Sequence, residues 1–185
     1  MSKLIMWNVI TLDGYFEGKQ PWDLSFHELI WGPELERFSL EQLRGAGGLV
    51  FGRRTYEGMA QYWSQEASGE PNEITEHMNR VPKYVFSRTL EAADWNNSTL
   101  ISGDAVAELS RLKAQANGDL YVFGSAELSA TFVGNRLFDE YRIGIAPVIL
   151  GSGRPLFSQG LPLQNLSLKS SRQLTNGGML LTYTP

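Results

Sequence analysis

Leu49-Val50-Phe51-Gly52-Arg53-Arg54-Thr55-Tyr56-Glu57 is an apolar run that stops on a glycine and turns at once into charged and polar residues. It reads as a short buried strand ending at Gly52, with a helix opening after it through Thr55-Tyr56-Glu57. Two further stretches repeat the design: Lys83-Tyr84-Val85-Phe86-Ser87 runs into Arg88-Thr89, and Asp119-Leu120-Tyr121-Val122-Phe123 runs into Gly124-Ser125-Ala126-Glu127. Each strand ends in small or polar residues where a helix is expected to begin. In open α/β sheets, ligands bind outside the carboxyl ends of the strands. Helix N-termini there offer free N–H groups and partial positive charge, which suits phosphate. Glycine admits a phosphate close to the backbone, and arginine adds charge-assisted bonds to its oxygens. Taken singly, such a glycine is an ordinary turn and such an arginine a solvated surface charge. Three ends together, two of them carrying arginine, imply a ligand with several phosphates. Neither a G-x-x-x-x-G-K-[ST] loop nor a G-x-G-x-x-G fingerprint is present.

Outward from these stretches, strand and helix alternate over the first 135 residues. Residues 3–12 read as a buried strand, apolar and partly β-branched, that stops at the turn signal Asp13-Gly14. Tyr15-Phe16 and the polar stretch to Gln20 read as loop. Leu35, Phe38, Leu40 and Leu43 approximate helical spacing over residues 33–43, and Gly45 to Gly48 are expected to end that helix. Residues 64–72, polar with Gly and Pro, read as a surface loop. Residues 98–102 form a weak strand, and Asp104 caps a helix through Ala105, Val106, Leu109 and Leu112. Leu128 and Phe132 continue the helix after Ser125. Residues 137–150, 161–174 and 179–183 then read as consecutive strands. The expected fold is α/β, a mostly parallel central sheet flanked by helices with antiparallel C-terminal strands, in a single domain over residues 1–185.

Composition narrows the function. With 42% hydrophobic and 19% charged residues, a chain of 185 residues can bury a real core. A net charge of -4 argues against general nucleic-acid binding. The absence of cysteine excludes disulfides, thiolate nucleophiles and cysteine-ligated metals. The two histidines, His27 and His77, form no HExxH pair, so no metal site is expected. The N-terminus lacks the apolar run of a signal peptide, and no stretch approaches the roughly 20 apolar residues of a membrane span. A cytoplasmic protein with neither a membrane nor a nucleic-acid partner is expected.

Gly52-Arg53-Arg54-Thr55-Tyr56-Glu57 resembles the Gly-Arg-x-Thr-aromatic-Glu signature of the dihydrofolate reductase superfamily. Ser87-Arg88 resembles that family's site for the 2′-phosphate end of NADPH, and Gly124-Ser125-Ala126-Glu127-Leu128 its pyrophosphate turn. Leu12-Asp13-Gly14-Tyr15 after the first strand, and above all Ala146-Pro147-Val148-Ile149-Leu150-Gly151-Ser152-Gly153-Arg154-Pro155-Leu156-Phe157, resemble the C-terminal reductase domain of RibD, the riboflavin biosynthesis protein. The likeness runs in order along nearly the whole chain. No part of it matches RibD's zinc deaminase domain, so deamination is not expected. The turn reads Gly-Ser where dihydrofolate reductases carry Gly-Gly, and serine serves there only if its backbone angles allow.

The resemblance implies NADPH, and a reductase of a small pteridine- or pyrimidine-like heterocycle. Gly52, Arg53, Arg54, Thr55, Ser87, Arg88, Gly124, Ser125, Ala126 and Glu127 would hold the cofactor. Val9, Ile10 and Phe16 either border its nicotinamide or are plain core. Trp7, Asn8 and Asp13 would face the substrate. Asn8 is the more telling, because a polar side chain inside an apolar strand needs a partner. Asp13 equally suits a turn with Gly14. Glu28, after Pro21-Trp22-Asp23-Leu24, is the positional match for the family's proton-donating carboxylate, one residue out of register, or an ordinary surface residue. His27 either reaches a substrate phosphate or is structural. No basic cluster for a ribosyl phosphate appears outside the cofactor loops, which argues against the riboflavin enzyme itself. The resemblance also implies a homodimer through the C-terminal strands. The rival readings are a non-catalytic nucleotide-binding or regulatory module of the same fold, and a flavodoxin-like protein using FMN. Against the latter stands the lack of a Gly-rich or Ser/Thr-rich loop after the first strand.

Overall fold

A computed structural model describes residues 2–66, 69–70 and 72–185 of the chain. The strands are β1 (Leu4–Thr11), β2 (Tyr15–Glu17), β3 (Ala46–Gly52), β4 (Lys83–Phe86), β5 (Ser98–Ile101), β6 (Asp119–Phe123), β7 (Glu140–Ala146), β8 (Arg154–Pro155), β9 (Ser167–Gln173) and β10 (Met179–Thr184). The helices are α1 (Pro33–Arg44), α2 (Arg53–Glu66), α3 (Glu73–Arg80), α4 (Ala105–Gln115) and α5 (Ala126–Gly134), with a 3-10 turn at Ser25–Leu29. Among the described residues, one sheet runs in the order β5-β4-β3-β6-β1-β7-β10-β9, and β2 pairs with β8 in a small ribbon. The first six strands of that order are mutually parallel, while β10 and β9 join antiparallel.

Burial on both faces explains the apolar runs. Successive side chains of a strand point to opposite faces. Leu4, Met6, Val50, Leu120 and Val122 therefore pack on Leu109 of α4 and Phe132 of α5. Ile5, Leu49, Phe51, Val85 and Tyr121 pack on Leu43 of α1, Tyr56 of α2 and Met78 of α3. A third cluster joins Val9 to Phe26, Ile30 and Leu35 beside β7 and β10. All parallel strands thus send their carboxyl ends to one edge of the molecule.

Several expectations are corrected. Gly45 does close α1, but Ala46, Gly47 and Gly48 already belong to β3. Glycine there serves close approach: a Cβ on Gly47 would lie 2.5 Å from the Gly118 carbonyl, and one on Gly48 2.5 Å from the Tyr84 ring. The expected loop at 64–72 is helix to Glu66, with residues 67, 68 and 71 outside the described set, and α3 follows, capped by Asn72 through its bonds from the Ile74 and Thr75 amides. No helix follows β4, since residues 87–97 return to β5 without one. The strand expected over 137–150 is confined to β7, and that over 161–174 to β9.

Candidate active site

Across the carboxyl edge of the sheet lies a cleft of about 1610 Å³. Ligand pockets commonly measure roughly 300–1,000 Å³, so this one has room for two ligands side by side. At its centre β6 leaves the sheet through Gly124 (φ 59°) and Ser125 (φ 57°), both left-handed. Serine in that conformation is unusual, and its surroundings enforce it. The Ser125 amide donates to Thr55 Oγ1 (2.9 Å), and Ser125 Oγ accepts from the Gly52 amide (2.8 Å). The Gly124 amide donates to Asn8 Oδ1 (2.8 Å). A Cβ on Gly124 would lie 3.1 Å from the Thr55 methyl, so this position is tight as well as left-handed. Residues from β1, β3, α2 and β6 therefore fix one turn.

Two helices begin at this turn. No side chain caps α5, so its first amides point their N–H groups outward without intrahelical partners. The first turn of α2 contains no acidic residue but holds Arg53 and Arg54. Arg53 donates to Glu57 and to Thr89 Oγ1 (2.9 Å), which ties α2 to the turn after β4. Arg54 lines the cleft with no carboxylate partner among the described residues. Arg154 on the opposite lip is bonded to Glu127 and lies near Glu17.

The other wall, from β1, α1 and α3, has a different chemistry. Trp7, Leu35, Leu43, Ile74 and Met78 supply its surface, with Ser39 and Gln42 as polar members. Trp31, His27 and Leu24 close it from the 3-10 turn and its flanks. Burial drives the His27 pKa down to about 4, so its ring is neutral at neutral pH. Gln42 is buried, and its Oε1 accepts from Arg142 Nη1 (3.1 Å). Arg142 in turn bonds Glu140 and the Tyr121 hydroxyl. Asn8 Nδ2, Gln42 Nε2 and His27 Nε2 are buried without a hydrogen-bond partner, and all three residues line this cleft. Buried polar atoms are normally paired, so their concentration in one cleft marks where a ligand's polar groups belong.

Of the candidate residues, the fold brings Asn8, Val9, Phe16, Gly52, Arg53, Arg54, Thr55, Gly124, Ser125, Ala126 and Glu127 together on the cleft. Ile10 packs toward the core on the α4–α5 face. Asp13 is not on the cleft wall. Its carboxylate accepts from Thr11 Oγ1 and from the Leu150 and Gly151 amides, and the Thr11 bond above all holds its pKa below the ordinary range. It pins the loop after β7 to the end of β1. Glu28 is exposed and off the wall. Ser87 Oγ accepts from the Thr89 and Leu90 amides, shaping the rim on which exposed Arg88 sits. Sequence reading missed Gln42 and the stacking of Trp22 on α2 at Gly58. No cluster of metal-ligating side chains occurs among the described residues, and no helix among them is long and apolar enough to cross a membrane.

Comparison with known proteins agrees with this architecture. The protein YyaP of Bacillus subtilis (strain 168), itself uncharacterized, is 30% identical over 185 residues, covering 98% of this chain and 94% of YyaP. A solved structure of a protein assigned to riboflavin biosynthesis in Shewanella sp. PV-4 superposes with a TM-score of 0.78 at 22% identity, covering 98% of both chains. The diaminohydroxyphosphoribosylaminopyrimidine deaminase/5-amino-6-(5-phosphoribosylamino)uracil reductase of Thermotoga maritima superposes with a TM-score of 0.70 at 15% identity, covering all of this chain but 56% of the bifunctional one. At these identities the two structures speak to fold alone. The model of the RibD C-terminal domain matches residues 2–180, and with the dihydrofolate reductase-like sheet described above this establishes that the chain belongs to the RibD C-terminal domain family.

Proposed function

We propose that the protein is an NADPH-dependent reductase of a small pteridine- or pyrimidine-like heterocycle, working in the cytoplasm. One observation carries the reading: an uncapped helix N-terminus, a left-handed Gly-Ser turn and the arginine-bearing start of α2 converge on a cleft that also holds the unpartnered Nδ2 of Asn8. These residues fit the cofactor. The first-turn amides of α2 and α5, from Arg53 to Thr55 and at Ala126 and Glu127, would take the diphosphate, with Gly52, Gly124 and Ser125 shaping its seat. Arg53 and Arg54, with Ser87 and Arg88 on the adjacent rim, would take the ribose phosphate. Val9 and Phe16 would border the nicotinamide, with Ile10 backing them from the core.

When bound, the reduced nicotinamide supplies a hydride to a C=N or C=O carbon of the substrate. The chain's own part is to orient both rings, exclude bulk water and polarise the acceptor with the Asn8 amide. The carboxylates on the cleft wall, Glu17, Glu57 and Glu127, all lie at arginines, and Glu28 faces solvent. The proton that completes the reduction is therefore drawn from water rather than from a buried acid.

Calorimetric titration with NADPH and NADH tests the cofactor site. Wild type should prefer NADPH, and Arg53→Ala, Arg54→Ala and Arg88→Ala should each lose ~1.5–3 kcal/mol of NADPH binding, with the preference shrinking in the Arg88 variant. Unchanged affinity in all three would refute the assignment. A second reading, a non-catalytic nucleotide-binding module, is favoured by the lack of a free carboxylate on the described cleft wall; any substrate-dependent oxidation of NADPH excludes it. A homodimer is proposed across β9, whose seven residues are all exposed, and sedimentation velocity checks it.

A further inference from the structure

The wall of the cleft formed by β1, α1 and α3 carries no charged lining residue. Every cation on the cleft belongs elsewhere: Arg53 and Arg54 to the first turn of α2, Arg154 to β8 and Lys19 to the loop after β2. The charge nearest Gln42 is Arg142, and its guanidinium is engaged by Glu140, Gln42 and Tyr121. An anionic group bound against Trp7, Leu35, Leu43 and Met78 would lose its hydration and find no counter-charge, a heavy penalty in a buried setting.

What this wall does offer is donors. The Arg142 bond to Gln42 Oε1 removes the ambiguity of the amide's orientation, because only the oxygen can accept it. Gln42 Nε2 is then the free end, 3% exposure notwithstanding, and it has no partner. His27 Nε2, on the 3-10 turn beside this wall, is likewise unpartnered and donates or accepts according to its tautomer. Trp7 and Trp31 line the same cleft.

Resting on the reductase reading, we propose that the substrate is an uncharged, phosphate-free planar heterocycle that presents a carbonyl or ring-nitrogen acceptor to Gln42 Nε2, and that Gln42 is a specificity-determining residue. The wall rejects a phosphoribosylated ring. Phosphate recognition in this protein is confined to the α2 and α5 ends of the cleft, where the cofactor sits.

The test uses the full chain, first titrated with NADPH alone so that the cofactor assignment is judged separately. Lumazine, a neutral bicyclic dione, and uridine 5′-monophosphate are then titrated into protein with and without saturating NADPH. Lumazine should bind at least about tenfold more tightly than the nucleotide, equivalent to about 1.4 kcal/mol. Gln42→Glu keeps an acceptor for Arg142 but replaces the free N–H₂ with oxygen. It should weaken lumazine about tenfold or more and leave NADPH affinity within about twofold. The wild-type comparison needs no variant, so a misfolded Gln42→Glu would not rescue the idea. Equal or tighter nucleotide binding, no binding of either probe, or lumazine affinity unaffected by a folded Gln42→Glu overturns the proposal. Failure of NADPH to bind while lumazine still discriminates would overturn the cofactor reading alone.

Discussion

Replacing Ser125 separates two opposing terms at the heart of the cleft. The side chain accepts a 2.8 Å bond from the Gly52 amide while its own backbone sits at φ 57°, ψ 57°. Ser125→Ala keeps the left-handed backbone and strips the half-buried Gly52 N–H of its acceptor, which costs about 1–3 kcal/mol. Ser125→Gly loses the same bond but relieves a left-handed penalty of roughly 1–2 kcal/mol. Both variants retain the Ser125 amide bond to Thr55, because the backbone N–H survives. The glycine variant should therefore be more stable than the alanine variant by about 1 kcal/mol, or roughly 2–4 °C in melting temperature for a chain of this size. Urea unfolding of the three cofactor-free proteins, fitted with a common slope, reads the difference directly. An alanine variant equal to or more stable than the glycine variant would show that the left-handed backbone at Ser125 carries no such strain.

Two further outcomes follow from buried groups away from that turn. Lys83 has no exposed surface, donates to the Asn79 and Asn96 carbonyls, and lies 4.3 Å above the Trp95 ring; burial lowers its pKa from 10.5 to about 8. Between those values the unfolded chain keeps a proton that the folded chain has released, so this residue makes stability rise with pH, by up to about 3 kcal/mol. Lys83→Met should lack that rise, and parallel urea titrations from about pH 7 to pH 10 would contradict the account if wild type and variant changed alike. Gly58→Ala places a methyl 2.5 Å from the Trp22 ring. Despite a helix-propensity gain of up to about 1 kcal/mol, it should lower the melting temperature and shift tryptophan emission, and an unchanged melt with unchanged emission would count against the stacking of Trp22 on α2.

The fold was legible where chemistry is local. Apolar runs ending in Gly52, Ser87 and Gly124-Ser125 mark strand ends, and the alternation before residue 135 implies parallel pairing. Gly47 and Gly48 misled because their reason lies far along the chain, in the Gly118 carbonyl and the Tyr84 ring, not in a helix terminus. Helix α3 was missed because only Ile74 and Met78 are strongly apolar in it, though Asn72 ahead of it was a usable capping signal. In the site, glycines and arginines carry their meaning in their type, so the two segments at Gly52 and Gly124 that line one cleft were readable. Gln42 was not. A glutamine in a polar helical stretch looks solvated until Arg142, one hundred residues later, takes its oxygen. Asp13 illustrates the converse, since a carboxylate beside Gly14 proved to be holding the loop at Leu150 and Gly151.

The bonds that shape the Gly124-Ser125 turn span 116, 70 and 73 residues of chain, to Asn8, Thr55 and Gly52. Such contacts carry a high loop-closure cost, because distant segments must first be brought together. The turn consequently cannot exist in a fragment or a half-assembled sheet. Affinity for the proposed cofactor would thus double as a clock for refolding: binding competence should appear with the last phase, after helical signal has recovered. By mass action a nucleotide bound as proposed would then stabilise the whole central sheet rather than one loop.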